Sequence, residues 1–327
     1  MKLSVSIVGC GRILNKHVEA IRSNDKYFTL DSISEINEKK LKVIKKLYNV
    51  NGYIDMVKMA RERKPDLIII LTESGNHIKH AIKLSDYCQN FIIEKPLSIC
   101  KKELKKLKLL KKNKIFVVNQ NRFNPPIKLL KKIIDQKKLG KIFLLSAKVF
   151  WKRDDIYYKM DKWRGTKKLD GGVIGNQAAH FIDMLIWLNG KITSIQTKKI
   201  KINKYIEVED TCVAIFKFKN GAIATLEATN ATSPSDLEGS ITVLGTKGTI
   251  KVGGFAMNRF EIFEINDAKK IKDYNSLNYQ PSTVYGFGHK SFYEYIVNNF
   301  NNKKVIKKNL DISIETVKVI DKLLNSK

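Results

Sequence analysis

The chain has 327 residues, 43% of them hydrophobic, and a formal net charge of +29. That length accommodates two domains, the apolar fraction suffices for packed cores, and the lack of a long polar tract argues against disorder. The charge invites a nucleic-acid reading, yet only 8 of the 61 basic residues are arginine, and the lysines spread over presumed helix surfaces such as 101–114. Base and phosphate readers favour arginine clustered with aromatic residues, so no specific nucleic-acid partner is expected, and the excess charge serves at most to attract acidic substrates.

Four cysteines, Cys10, Cys88, Cys100 and Cys212, show neither paired spacing nor a metal pattern and read as reduced thiols, with no metal site implied. The apolar run at the amino terminus ends in a glycine turn rather than a cleavage site, and no segment approaches the ~20 apolar residues that span a bilayer. A cytoplasmic protein without a membrane partner is expected.

Residues 3–8 form a β-type run that passes straight into Gly9-Cys10-Gly11-Arg12-Ile13. Glycines at the first two places of the dinucleotide fingerprint allow a tight turn and let the backbone approach a pyrophosphate at the next helix N-terminus; Leu14 takes the third place. The next strand, about 28–34, ends at Glu35, 24 residues after Gly11. A carboxylate there takes the ribose hydroxyls and repels a 2′-phosphate, favouring NAD, while Lys39 and Lys40 leave NADP open. Asn37 suits the cap of a helix with Leu41, Ile44 and Tyr48 on one face.

Residues 65–71 read as a buried strand followed by the loop Thr72-Glu73-Ser74-Gly75-Asn76-His77. Phe91-Ile92-Ile93 is another, ended abruptly by Glu94-Lys95-Pro96, which points Lys95 into the crevice at the strand ends where ligands of open α/β sheets gather. The bland alternative is a charged pair closing a strand. Ser98 suits the cap of the lysine-rich helix that follows, and 115–118 is one more strand. This alternation predicts a doubly wound parallel sheet, a Rossmann domain over 1–120.

From 142 the texture changes. Runs at 142–151, 193–202, 208–218, 222–230, 238–244 and 248–253 alternate or carry β-branched residues and are separated by Asn220-Gly221 and Lys247-Gly248 turns. They predict a second, α+β domain over 121–327, with a large, mostly antiparallel sheet open on one face. Two helices close the chain. Another interrupts the sheet after Asp170-Gly171-Gly172 and places Asn176, His180 and Asp183 at i, i+4 and i+7, on one face of a single helix. His180 reads either as a satisfied core histidine or as a base near neutral pH, with Asp183 fixing its tautomer.

The GCGRI turn, EKP at 94–96, NQNRFNP from Asn119, WRG at 163–165, DGG at 170–172, NQAAHFID at 176–183, EDT at 209–211, GTKGTI at 245–250 and GFGHKSFY at 286–293, in this order and spacing, resemble the Gfo/Idh/MocA oxidoreductase superfamily. The resemblance implies an NAD-dependent dehydrogenase acting on a sugar CH–OH group and a homo-oligomer, dimer or tetramer, joined through the open sheet. It implies Lys95 and His180 as the catalytic groups. Gly9, Gly11, Arg12, Ile13, Glu35, Thr72, Asn76, His77, Glu94, Gln120, Trp163 and Arg164 would then contact the cofactor. Lys95, Arg164, Asn176 and His180 would contact the substrate. Superfamily polyol dehydrogenases commonly have Asp where Asn176 stands; with the WRG run, Asn176 looks more like the nucleotide-sugar 3-dehydrogenases that act on UDP-N-acetylglucosamine or its uronic acid. Oxidation of C3 to a keto sugar for amino-sugar or polysaccharide synthesis is therefore the expected activity. The alternatives are another sugar or polyol dehydrogenase, a 3-ketosugar reductase, and a non-catalytic nucleotide-binding sensor.

Overall fold

The computed structural model describes residues 2–266, 273–281 and 283–326. The chain divides into two compact units, one of Met1–Val118 with His289–Ile314, the other of Asn119–Gly288 with Glu315–Lys327. Residues 289–314 thus belong with the amino-terminal unit, whereas the sequence reading assigned everything after 120 to the second domain.

The first unit alternates strand and helix in the order β1 (Leu3–Val8), α1 (Leu14–Arg22), β2 (Phe28–Ser34), α2 (Glu38–Tyr48), β3 (Asn51–Tyr53), α3 (Met56–Arg63), β4 (Leu67–Ile70), α4 (His77–Leu84), β5 (Asn90–Ile93), α5 (Lys101–Leu104) and β6 (Lys114–Val117). Its six strands are all parallel, ordered β3-β2-β1-β4-β5-β6, the doubly wound arrangement. Parallel strands covered on both faces need continuous apolar runs, and Leu67–Ile70 and Phe91–Ile93 are completely buried. Each such side chain contributes about 1.5–3 kcal/mol. Asn37 caps α2 as expected, accepting the Lys40 N–H at 3.1 Å, and Asp55 caps α3.

Ser98 does not cap the lysine-rich helix. Its hydroxyl accepts the Cys100 N–H at 3.2 Å, α5 starts at Lys101, and the chain tightens into a 3-10 turn from Lys105 to Leu110. With Leu110 the only buried side chain of that turn, little apolar packing supports a longer helix there. The short strand β3 and helix α3 were not anticipated.

The second unit contains α6 (Pro125–Asp135), β7 (Ile142–Phe150), α7 (Asp155–Lys159), α8 (Gly172–Gly175), α9 (Ala178–Asn189), β8 (Ile192–Ile200), β9 (Thr211–Phe218), β10 (Ile223–Thr229), β11 (Glu238–Gly245), β12 (Gly248–Gly253) and β13 (Arg259–Ile265). Its seven-stranded sheet has the order β13-β12-β11-β7-β10-β9-β8, antiparallel except for the β7–β10 pair. β13 lies beyond the six runs read from the sequence. Helix α9 lies against β7 and β10 and buries Phe181, Ile182, Met184 and Leu185 completely. Elsewhere on the sheet Val213, Ile215 and Ile223 are about half exposed, at 48–50%.

A buried ion pair ties this unit together. Arg122 presents Nε and Nη2 to the two oxygens of Asp183, with the Arg122–Oδ2 contact at 2.7 Å, and Thr316 Oγ1 lies 3.4 Å from Oδ1. The Asp183 carboxylate therefore anchors a guanidinium.

The chain closes with α10 (Gly288–Asn299) and α11 (Lys303–Asn325). Phe292, Tyr293 and Ile296 of α10 are fully buried, and the ring of Phe300, just past its end, stacks on Phe116 of β6 at 6.2 Å. Packed among them is a polar group of side chains. His17 of α1 has Nδ1 at 2.7 Å from the Tyr293 hydroxyl and Nε2 at 3.0 Å from Glu94 Oε1. The edge of His289 meets the His17 ring at 5.3 Å, and among the described residues neither of its own ring nitrogens has a hydrogen-bond partner. No described helix is long and apolar enough to cross a membrane.

Two outcomes follow from these buried charges and imidazoles. Asp183→Ala strands the Arg122 guanidinium without a counter-ion, so urea unfolding should show a loss of about 3–5 kcal/mol, and replacing both partners by apolar residues should cost less. Burial pushes the His289 imidazole down to about 3, with the His17 ring adding to the effect. A depressed folded pKa stabilises the protein fully above the unfolded value of 6.5 and loses that stabilisation as pH falls from there toward 3. Between pH 7 and pH 5 this group alone should cost about 2 kcal/mol. His289→Leu should flatten the stability–pH curve by that amount, and identical losses in wild type and variant would show that His289 is not the group responsible.

Candidate active site

The turn after β1 depends on a missing side chain. Gly9 has φ +88°, and a Cβ there would stand 3.0 Å from the Leu71 carbonyl carbon and oxygen and from Thr72 Cγ2. Its N–H is bonded to Ser34 O at 2.9 Å, which seats the turn between β2 and β4. A Cβ at Gly11 would meet less, standing 4.0 Å from the same carbonyl oxygen. Arg12 is exposed, Ile13 occupies the N-cap of α1, and among the described residues no side chain caps that helix; Leu14 N and Lys16 N already donate to the Gly11 and Ile13 carbonyls, at 3.1 and 3.0 Å. Leu14, where the fingerprint has its third glycine, is a buried first residue of α1.

Glu35 stands just past the end of β2 with its carboxylate beside this turn. Oε2 accepts the Cys10 N–H at 3.1 Å, Oε1 accepts the Asn37 N–H at 3.0 Å, and Lys40 Nζ approaches Oε2 to 3.5 Å. Burial, followed by the charge of Glu35, pushes the Cys10 thiol up to about 12, so it stays protonated and inert. A glycine cradle, a helix N-terminus without a side-chain cap and a carboxylate at the end of the second strand fit a dinucleotide with unmodified ribose hydroxyls. Lys40, which on sequence kept NADP open, is drawn to the carboxylate.

The loops after β4 and β5 are fastened to each other. His77 is buried with Nε2 2.9 Å from Thr72 O and Nδ1 2.7 Å from Pro96 O, and burial lowers its pKa. Both ring nitrogens face backbone carbonyls, and the neutral ring can donate to one of them, so His77 packs between the two loops. Thr72 Oγ1 meets His80 Nδ1 at 2.8 Å, and Asn76 donates to Glu73 at 3.2 Å. Glu94 is buried and shares its oxygens between His17 and the Lys95 N–H, the latter at 2.9 Å. Lys95 is half-buried at the end of β5.

The second unit gathers the remaining residues. Gln120 is buried with Oε1 unpartnered. Trp163 is half-buried. Arg164 donates Nε to Asp161 at 2.8 Å and lies over the rings of Tyr157 and Trp163, 4.4 and 4.8 Å from their centroids. Arg153 approaches the same Tyr157 ring at 5.4 Å and bonds Asp236 at 3.1 Å. Asp170 holds the loop that follows: Oδ2 accepts the Gly165 N–H at 2.8 Å and Oδ1 accepts the Asn176 amide at 2.7 Å.

The single polar helix face expected for Asn176, His180 and Asp183 does not form. α8 ends at Gly175, Asn176 adopts φ −105° and ψ −73°, and α9 begins at Ala178. The bond from Asn176 to Asp170 stabilises this break, so Asn176 belongs to the Asp170 loop while His180 sits in the first turn of α9, buried. Gln177 at the break accepts from Asn230 Nδ2 at 2.9 Å, and Asn230 also donates to the Tyr158 hydroxyl at 3.2 Å. Sequence reasoning singled out none of Arg153, Tyr157, Gln177 and Asn230, which come from three separate stretches of the chain, although Gln177 lies within the NQAAHFID run. Nor did it single out His17 or Tyr293, the latter the last residue of the GFGHKSFY run.

Residues 3–120 match an oxidoreductase family described as an NAD-binding Rossmann fold, and residues 127–251 match the GFO/IDH/MocA C-terminal domain. The WlbA dehydrogenase of Bordetella pertussis, solved with NADH and UDP-GlcNAcA, is 32% identical, with a TM-score of 0.91 covering 98% of this chain and 94% of that one. The WlbA dehydrogenase of Chromobacterium violaceum, also solved with NADH and UDP-GlcNAcA, is 31% identical, with a TM-score of 0.86 covering 98% and 92%. The glucose-6-phosphate 3-dehydrogenase of Bacillus subtilis is 24% identical over 312 residues, 90% of this chain and 87% of that protein. Carrying both domains in order and following solved members over nearly its whole length, the chain belongs to the Gfo/Idh/MocA oxidoreductases, with NAD as the cofactor of its Rossmann unit.

Proposed function

We propose that the protein oxidises a secondary hydroxyl, at C3, of a nucleotide-linked sugar. The observation that carries this reading is the 32% identity over 98% of the chain to a dehydrogenase solved with NADH and UDP-GlcNAcA. The pair of guanidinium groups against the Tyr157 ring supports it, since Arg153 and Arg164 suit an acidic substrate, a diphosphate or a carboxylate. A sugar monophosphate would use the same two arginines, which keeps the glucose-6-phosphate 3-dehydrogenase relative as the second reading.

NAD, when bound, supplies the hydride acceptor. His180 takes the hydroxyl proton as general base, and Lys95 holds the oxygen as negative charge develops on it. Asn176, fixed by Asp170, positions a neighbouring hydroxyl. Gly9, Gly11, Arg12 and Ile13 receive the pyrophosphate, and Glu35 takes the adenosine ribose. The protein works in the cytoplasm as a homo-oligomer joined through the sheet that exposes Val213, Ile215 and Ile223.

Purified protein supplied with UDP-GlcNAcA, UDP-N-acetylglucosamine, glucose-6-phosphate and free polyols, followed by nicotinamide absorbance, distinguishes the readings; turnover of free polyols alone would overturn both. Calorimetric titration should show NAD bound more tightly than NADP, and a reversed order would remove the role given to Glu35. Lys95→Ala and His180→Ala should each lower turnover roughly 10²–10⁴-fold, about 3–5 kcal/mol in the barrier, with NAD affinity retained. The double variant should lose less than the product, since groups acting on one transition state are not additive. Folded variants that turn over at the wild-type rate would place the chemistry elsewhere.

A further inference from the structure

Lys95 does not stand alone in the first unit. Its backbone N–H is bonded at 2.9 Å to Glu94 Oε2, and the other oxygen of Glu94 faces His17 Nε2 at 3.0 Å. His17 Nδ1 in turn lies 2.7 Å from the Tyr293 hydroxyl. All three side chains are buried, with His17 and Tyr293 completely inaccessible, and they come from α1, the end of β5 and α10. A buried carboxylate demands such partners, because water cannot reach it.

The protons have one arrangement that satisfies every atom. Burial holds the Tyr293 phenol well above its ordinary pKa, so its O–H donates to His17 Nδ1. A neutral His17 then donates Nε2–H to Glu94. Burial alone would raise the Glu94 pKa, but the hydrogen bond from His17, with the Lys95 ammonium adding to it, outweighs this and keeps the group a carboxylate. Both of its oxygens accept, one from the imidazole and one from the Lys95 backbone. His289 packs edge-on against His17 and, kept neutral by burial, leaves this chain undisturbed.

We propose that His17 and Tyr293 are positioning residues of the reaction, holding Glu94 so that it fixes the backbone of Lys95 and keeps the Lys95 ammonium beside a fixed negative charge. This rests on the reading of Lys95 as the group that holds the substrate oxygen. It assigns to the first helix after the dinucleotide turn, and to a helix near the carboxyl end of the chain, a part in the chemistry as well as in the fold. His17, Glu94 and His289 also offer ligand atoms all within 4.8 Å of one another, the spacing of a divalent-cation site. Both nitrogens of His17 are already engaged, however, and a cation would have to break its bond to Glu94.

The test compares His17→Leu, His17→Gln and Tyr293→Phe in the full-length enzyme, with the turnover number and NAD affinity measured separately. His17→Leu should lower turnover roughly 10–100-fold, the scale of a ~1 Å misplacement of a reacting group, with NAD affinity within about threefold of wild type. His17→Gln, whose amide can still donate to Glu94, should recover most of that loss, and Tyr293→Phe, which removes one hydroxyl, should fall between. In a Lys95→Ala background His17→Leu should add no further loss. Unchanged turnover in the folded Phe variant, a Gln variant as poor as the Leu variant, or a parallel loss of NAD affinity would each overturn the positioning role. So would stoichiometric zinc binding, measured by calorimetry on chelator-treated protein, that His289→Leu abolishes. If Lys95→Ala itself turns over normally, the reading of Lys95 has failed; if it is inactive while both His17 variants are not, the positioning role alone has failed.

Discussion

The buried carboxylate of Glu94 is the constraint on which the first unit turns. A charge without water must be met by hydrogen bonds from whatever the fold brings near, and here the donors are an imidazole from α1 and the backbone of the next residue. Those donors come from elements that apolar packing has already placed, so the polar group does not assemble the fold so much as restrict it to one arrangement. The same residue terminates an otherwise apolar strand, and the chain leaves the sheet at the point where Lys95 begins. Fold and candidate chemistry therefore share one atom pair.

The second unit uses the same device twice. Arg122 and Asp183 neutralise each other beneath α9, a helix too apolar to accept a lone charge. Asp170 accepts a backbone N–H from Gly165 and the amide of Asn176, and so defines both the loop that carries Trp163 and Arg164 and the break that precedes α9. Each acid fixes a local geometry that side-chain packing alone would leave loose. Around the dinucleotide turn Glu35 acts likewise, drawing the Cys10 and Asn37 N–H groups and the Lys40 ammonium toward itself. The lysine-rich surface, by contrast, carries pairs such as Lys106–Glu103 that are exposed and contribute little.

Much of this could be read along the chain. Short β-type runs closed by Gly9, Glu35, Thr72 and Glu94 read as parallel strands with candidate groups at their carboxyl ends, because strand identity and strand ends are local properties. The two glycines and the later carboxylate likewise raise the expectation of NAD, since a tight turn and a ribose contact each need one residue type at one place. Alternation from 142 onward determines the second sheet, and Asn37 announces its helix, for the same local reason.

What the sequence left open is whatever depends on which partner a polar group finds. Helical spacing put Asn176, His180 and Asp183 on one face; the tertiary structure broke the helix because Asp170 offered Asn176 a better bond, and gave Asp183 to Arg122, 61 residues away. His77 stood in a loop that looked directed at a ligand, yet its ring is buried with a backbone carbonyl beside each nitrogen. Nothing along the chain pairs His17 with Tyr293, 276 residues apart, although Tyr293 closes the GFGHKSFY run. Strands, turns and the cofactor pocket follow from local residue order, which sequence contains. The pairing of buried polar groups follows from long-range packing that brings distant atoms within 3 Å, and only the folded chain decides it.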